Sequence, residues 1–367
     1  MLQVFYNSKT IFSDNAFETL VCVISDRRTD LRDESTLVLV VDSFLETNSE
    51  FQVSLSQLGN VTVFYPPSGV EPTTEYVDDC YFSLSELDES PLAVVGIGGG
   101  TALDIAKALS NLIGNGGKAS DYQGWELLQK PGAFKIGIPT LFGTGSETSR
   151  TCVLLNKDAG LKLGMNSKFS LFDELIIDSS LSLSSPKLTW GLTAMDGYFH
   201  ALEILEGQNR IAITDEFAST SKRLIEGSLN SYHVDINQAS KDLALGSYFG
   251  GMALANGIVG LVHPFSAALS VVFGLPHALA NCMSMVGLTD YYPKSREFFF
   301  EKCEEFNLLS NRLQLPVLED KTLDSLINAT IVHEKPLKNH LGNNWQRILN
   351  KEQLRLIFQK ILQSETK

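Results

Sequence analysis

An α/β domain over residues 1–183 followed by an all-α domain over residues 184–367 is the architecture this sequence predicts. Two observations carry it. Apolar, strand-like runs alternate with helix-like segments up to the break at Ser184-Ser185-Pro186, and beyond that break only helical periodicity remains.

In chain order, Thr36–Val41 is a continuous apolar run closed by Asp42, and Val61–Tyr65 is a second run stopped by Pro66-Pro67. Leu92–Ile97 runs into Gly98-Gly99-Gly100-Thr101, and Lys135–Ile138 ends at Pro139-Thr140. Runs of this kind separated by helices imply a mostly parallel sheet covered on both faces. The shorter apolar runs Cys152–Leu155 and Glu174–Ile177 are expected as edge strands. After residue 184, helices are expected over 187–206, 211–229, 239–260, 265–273, 277–289, 295–313 and 320–333.

Hydrophobic residues make up 44% of the chain and charged residues 20%, an ordinary globular composition. A net charge of −14 argues against nucleic acid or an anionic membrane as partner and leaves a small-molecule substrate. A homodimer is expected independently of the charge, which does not fix the oligomeric state. The cysteines Cys22, Cys80, Cys152, Cys282 and Cys303 are far apart and odd in number, which reads as reduced thiols in the cytoplasm. The opening Met-Leu-Gln-Val-Phe-Tyr-Asn holds no basic region before an apolar run, so no signal peptide is expected. Residues 243–289 contain no Asp, Glu, Lys or Arg; their Gly, Ser, Asn, Pro and His content favours buried helices over a membrane span.

The strand–Gly98-Gly99-Gly100-Thr101–helix junction is a phosphate-binding candidate, because glycines admit a ligand to the backbone and a helix N-terminus favours an anion. Counted from Gly96 it reads Gly-x-Gly-x-x-Thr, with Thr101 in place of the usual third glycine; a plain tight turn is the competing account. Asp42, after the first strong strand, is placed to accept from adenosine ribose hydroxyls and to repel a 2′-phosphate, or else to cap a helix. The loop Pro139–Glu147 brings Thr140, Gly143, Thr144, Gly145 and Ser146 to the end of a strand, where α/β proteins place ligand loops. Lys162 is a cation in apolar surroundings, suited to a cofactor ribose, a substrate oxygen or the solvent.

Asp196 and His200 are four residues apart, so a helix carries them on one face. His263 and His277 lie in the uncharged run, where an imidazole costs free energy unless its nitrogens are satisfied. One carboxylate and three imidazoles match a site for zinc or ferrous iron, with satisfied core histidines as the alternative.

Taken together and in this order, these residues resemble the iron-containing (group III) alcohol dehydrogenase family, which shares the dehydroquinate synthase-like fold. The resemblance spans Asp42, Gly98–Thr101 with Asp104 and Lys107, Pro139–Glu147, Lys162, Asp178, and Asp196 with His200, His263 and His277. It implies an N-terminal nucleotide-binding domain, a helical domain, an active site in the cleft between them, and NAD as cofactor. It also implies Asp196, His200, His263 and His277 as ligands of Fe2+ or Zn2+, and Asp42, Gly98, Gly99, Gly100, Thr101, Asp104, Thr140, Thr144, Ser146 and Lys162 as cofactor-binding residues. Many members carry a histidine four residues after the third ligand, where this chain has Ala267, and often a glycine at the position of Ala278. Asp121–Trp125, Leu163–Ser167 and the segment 263–272 resemble the subgroup that oxidises the C8 hydroxyl of 3-deoxy-D-manno-octulosonate in 8-amino sugar, hence lipopolysaccharide, biosynthesis. Those enzymes have been classed as oxidases. For a sugar-acid carboxylate, Arg150, Lys162, Lys168 and Arg210 are the candidate cations. Rival readings are a general NAD-dependent alcohol dehydrogenase, a glycerol-dehydrogenase- or dehydroquinate-synthase-like enzyme, and a non-catalytic metal- or nucleotide-binding protein.

Overall fold

The structure is a computed structural model that describes residues 3–67, 69–86, 90–310 and 319–363. The chain divides into two compact units, one formed by Met1–Asn156 and Leu163–Ser184, the other by Lys157–Lys162 and Ser185–Lys367.

The first unit is built on strands β1 (Lys9–Phe12), β2 (Leu37–Val41), β3 (Val61–Phe64), β4 (Ala93–Gly98), β5 (Gly124–Trp125), β6 (Lys135–Pro139), β7 (Thr151–Asn156), β8 (Leu161–Asn166) and β9 (Glu174–Ile177), except that Leu161 and Lys162 of β8 belong to the second unit. Its helices are α1 (Ala16–Leu31), α2 (Ser49–Leu55), α3 (Thr74–Ser83) and α4 (Gly100–Asn115). Six strands form a sheet in the order β1-β9-β6-β4-β2-β3, and the paired strands run parallel. The strands β5, β8 and β7 form a second, small sheet in that order.

All of Leu37–Val41 is fully buried, as a strand covered on both faces requires. Leu37, Leu39, Val41, Val95, Ile97 and Ile138 form one core with Phe17, Leu20 and Ile24 of α1 and Phe51 of α2. Gly96 points to the opposite face, where α4 packs so close that a Cβ would meet Ala106 Cβ at 2.8 Å and Leu103 Cα at 3.3 Å. The chain leaves β2 for β3 on one side and returns past it to β4 on the other, so the strand order reverses between β2 and β4. In open α/β sheets the crevice beyond the carboxyl ends at such a point is the ligand position. Asp42 and Gly98–Thr101 follow those two strand ends.

One expectation needs correction, and one strand was not expected. Glu174–Ile177 is not an edge strand: β9 lies between β6 and β1, because Lys9–Phe12 adds beyond it. Residues 161–166 form strand β8, and Gly124 pairs with Met165 on it.

The second unit contains α5 (Lys187–Glu206), α6 (Ala212–Ser231), α7 (Ile236–Asn256), α8 (Val262–Phe273) and α9 (His277–Leu288). It continues with α10 (Arg296–Phe306), α11 (Asp320–Ile331), α12 (Glu334–Leu341), α13 (Trp345–Ile348) and α14 (Lys351–Gln363). Helix α7 starts earlier than expected because Asp235 caps it, its side chain accepting from the Gln238 amide. Helix α8 likewise begins at Val262, since Pro264 sits in the first turn, where its missing N–H costs nothing. Helix α10 stops at Phe306 because Asn307 takes a left-handed conformation (φ 54°), and residues 311–313 of the expected helix lie outside the described residues. Helices α12 to α14 were not expected. Among the described residues no strand occurs after Ser184, and no helix is long and apolar enough to cross a membrane.

Gly96→Ala tests the packing of α4 on the sheet. The added methyl must displace Ala106 or the backbone at Leu103, so a loss of about 1–3 kcal/mol is expected in denaturant titration. An unchanged midpoint would show that α4 does not lie this close.

Candidate functional site

Helix α5 carries Asp196 and His200 one turn apart on one face, α8 carries His263 in its first turn, and α9 begins with His277 directly after Pro276. One donor atom from each of the four residues lies within 4.8 Å of the others. Asp196 Oδ1 is the common centre: the Nε2 atoms of His200, His263 and His277 stand 3.7, 3.6 and 3.7 Å from it. Donors bound at about 2.0–2.2 Å in tetrahedral geometry lie about 3.3–3.6 Å apart, so these separations suit one shared cation far better than hydrogen bonds.

The surroundings fit the same cation. Asp196 Oδ2 and His263 Nε2 are buried and lack a hydrogen-bond partner among the described residues. Asp196 and Glu203 are both fully buried carboxylates on α5, and one divalent ion bound by neutral imidazoles would balance their two negative charges. Burial alone would raise Asp196, but His200, His277 and His263 around it hold it below the usual carboxylate range. Burial opposes protonation of His263, yet Glu203 and Asp196 outweigh it and raise that group. Burial and then the Lys162 ammonium push His277 well below its ordinary value. Asp196 and His200 are closed off, whereas the side chains of His263 and His277 keep 13% and 32% of their surface. A further ligand would therefore approach from the His277 side.

Two neighbours of this set escaped the sequence reading. Asn281 Nδ2 donates to Asp196 Oδ1 at 2.6 Å, and it stands one turn after His277 on α9. Glu203 receives His263 Nδ1 on Oε2 and the Val262 amide on Oε1 at 2.5 Å. The signal for Glu203 was its place three residues after His200 inside an apolar segment, where a solvated acid would be out of place.

In the first unit, Gly98 adopts φ +154°, and a Cβ there would meet both Ala102 Cβ and Asp42 Cβ at 2.8 Å. The turn thus needs glycine for conformation and for space. Gly99 caps α4 without a side chain, which leaves the first-turn amides of Gly100 and Thr101 available to an anion. The Thr140 amide donates to Gly98 O at 3.0 Å, and a Cβ on Gly100 would meet Thr144 at 3.3 Å, so the two loops adjoin. The Asp42 carboxyl is pushed above its ordinary value by burial, which outweighs the amides of Gly99, Phe44 and Ser43.

Asp104 and Ser146 face each other. Ser146 Oγ donates to Asp104 Oδ1 at 2.5 Å, and the Val153 amide donates to Oδ2 at 2.8 Å. Buried Lys107 lies 3.3 Å from Asp104 Oδ1 and donates to Ser146 O at 2.8 Å. These contacts fasten the 140s loop to α4. Lys162 is 3% exposed, so its reading as a solvated surface lysine does not hold. Among the other candidate cations, Arg150 pairs with Glu126 and lies over the Phe5 ring, Arg210 pairs with Asp215, and Lys168 lies over the Phe169 ring.

Removing one donor should empty the cluster of metal. His263→Ala and His277→Ala are each expected to stay folded and to lose affinity by more than about 100-fold, the upper range for an outer-shell partner alone. Metal analysis after dialysis, with a thermal melt as the folding control, checks this. Stoichiometric metal in both folded variants would contradict the donor set.

Comparison with known proteins agrees with this organisation. Residues 7–179 match the family model for iron-containing alcohol dehydrogenase, and residues 192–327 match that for the C-terminal part of the Fe-containing alcohol dehydrogenase family. The NAD-dependent methanol dehydrogenase of Bacillus methanolicus is 29% identical over 256 residues, 68% of this chain and 66% of that protein. The sulfoacetaldehyde reductase of Bilophila wadsworthia is 31% identical over 218 residues, 59% of this chain and 56% of that protein. The chain thus spans between 56% and 66% of the length of these curated relatives. The solved iron-containing alcohol dehydrogenase of Thermotoga maritima shares the fold, with a TM-score of 0.80 at 20% identity over 99% of this chain and 100% of that one. With the α/β part and the helical part each matched by a model of one family, the chain belongs to the iron-containing alcohol dehydrogenase family.

Proposed function

We propose that this protein is a metal- and NAD-dependent oxidoreductase that interconverts a primary alcohol and its aldehyde. The observation that carries the reading is the convergence of three imidazole Nε2 atoms, each 3.6 to 3.7 Å from Asp196 Oδ1. When bound, a divalent metal supplies Lewis acidity toward a substrate hydroxyl, and a nicotinamide supplies the hydride acceptor. The chain's own residues hold and orient these groups. Asp196, His200, His263 and His277 form the donor set, and the exposed flank of His277 leaves the approach for the hydroxyl. The amides at Gly100 and Thr101 suit a diphosphate, with Thr140 and Thr144 beside them. Asp42 suits the adenosine ribose at the strand-order reversal. Asp104 and Ser146 serve the cofactor by fastening the loop that faces it. Lys162, buried on β8, is the candidate cation for a substrate oxygen or cofactor ribose.

The narrower proposal is a polyhydroxylated substrate, best matched by the C8 hydroxyl of 3-deoxy-D-manno-octulosonate in lipopolysaccharide 8-amino sugar formation. Its support is Ala267, one helical turn after His263, where many members of the family carry a histidine; a methyl in place of an imidazole would let a larger alcohol fit. The further support is the sequence likeness of residues 121–125, 163–167 and 263–272 to that subgroup. In the fold the first two of these segments pair through Gly124 and Met165 in the small sheet. Free cysteines, four of them buried, suit a reducing, cytoplasmic setting.

NAD is expected to bind about tenfold or more tightly than NADP, since a 2′-phosphate would meet the Asp42 carboxylate. Asp42→Gly should narrow that gap, and calorimetry with both dinucleotides reads it; equal affinities in the parent protein would remove Asp42 from the ribose. For the substrate, metal-loaded enzyme is incubated with the octulosonate and an aldehyde trap, with NAD and with oxygen in parallel. A trapped C8 aldehyde is expected. Its absence under both acceptors, alongside turnover of a short-chain alcohol, would reject the sugar and keep the general activity.

A further inference from the structure

We propose that Glu203 is the positioning residue of the metal centre: it holds His263 in the tautomer whose Nε2 can bind a metal, and it locks the start of α8 to α5. The inference rests on the metal reading above. Glu203 follows His200 by three residues on α5 and is 0% exposed. Its two oxygens receive three donors. Oε2 takes His263 Nδ1, while Oε1 accepts from the Val262 amide at 2.5 Å and from the Tyr292 hydroxyl at 3.3 Å. The same Tyr292 hydroxyl accepts from the Leu261 amide at 3.0 Å. The N-cap residue of α8 is Leu261, which has no side-chain acceptor, so Glu203 and Tyr292 supply from elsewhere in the fold what a local cap would provide. Gly260 makes room for this: a Cβ there would meet Tyr292 Oη at 2.7 Å and Glu203 Oε1 at 3.3 Å.

The chemistry follows from what a carboxylate can do. A neutral imidazole carries one N–H, and an acceptor-only group at Nδ1 keeps the proton there, which leaves the Nε2 lone pair for a cation. Glutamine at this position has only one acceptor oxygen. Its NH2 group would have to face either the Val262 amide or His263 Nδ1, so the ring or the helix start loses its partner.

The test uses the full chain stripped with a chelator and reloaded with Co2+, comparing the parent with Glu203→Gln, Glu203→Ala and Tyr292→Phe. Affinity is read by chelator competition, ligand geometry by the visible cobalt bands, and folding by a melt of the metal-free protein. Glu203→Ala is expected to bind Co2+ about 10–100-fold more weakly with altered bands, and Glu203→Gln to lie between it and the parent. Tyr292→Phe, which touches the helix start but not the ring, should melt earlier with its cobalt bands unchanged. A folded Glu203→Ala that binds within about threefold of the parent with unchanged bands would overturn the proposal. If that variant does not fold, Glu203→Gln decides by the same criterion. Parent protein that takes up no Co2+ would overturn the metal reading and this inference with it, whereas normal uptake by parent and variants alike would overturn this inference alone.

Discussion

A single buried carboxylate, Asp196 on α5, is the constraint to which the helical unit answers. It sits with Glu203 in a chain segment almost free of charge, and an uncompensated buried carboxylate costs several kcal/mol. Three imidazoles and an asparagine amide converge on Asp196, and a second imidazole nitrogen with two further donors converges on Glu203. The positions of α5, α8 and α9 are thereby linked to one chemical requirement, a cation between their side chains. Packing reinforces it, with His200 and His263 stacked at 4.4 Å between centroids.

The α/β unit answers a different constraint, the close approach of backbone to backbone. Gly96 lets α4 lie against β4, and Gly98 lets the chain pass Asp42 and Ala102 before the helix begins. Lys107, fully buried, then joins α4 to the 140s loop and to the Thr151 carbonyl. A lysine that reads in sequence as a polar helix position is thus an internal strut. The Thr101 amide is left open by that arrangement, since Gly99 has no side chain to accept from it, and the Gly100 amide beside it lies outside the reach of any cap.

Much of this was legible in the residues. The fully apolar run Leu37–Val41 announced a strand buried on both faces, and the spacing of Asp196 and His200 placed two donors on one helical face. What escaped has physical causes. Lys9–Phe12 is four residues long, begins with a lysine and is half exposed, so it carries no strand pattern of its own; its neighbour Glu174–Ile177 was then mistaken for an edge. Lys162 broke the apolar reading of Leu161–Asn166, although its side chain is buried. Leu354, Ile357, Phe358 and Ile361 do carry the helical period of α14, a signal left unused. Glu203 was hidden because helix acids are usually solvated, and only its three-residue spacing from His200 marked it as different.

The central claim is that Asp196, His200, His263 and His277 hold one divalent metal, and anomalous diffraction from crystals of metal-loaded protein tests it most directly. The account predicts one strong peak at the metal absorption edge, about 2.0–2.2 Å from Asp196 Oδ1 and from the Nε2 atoms of His200, His263 and His277. A peak bound through other residues, or none in protein that metal analysis shows to be loaded, would contradict it.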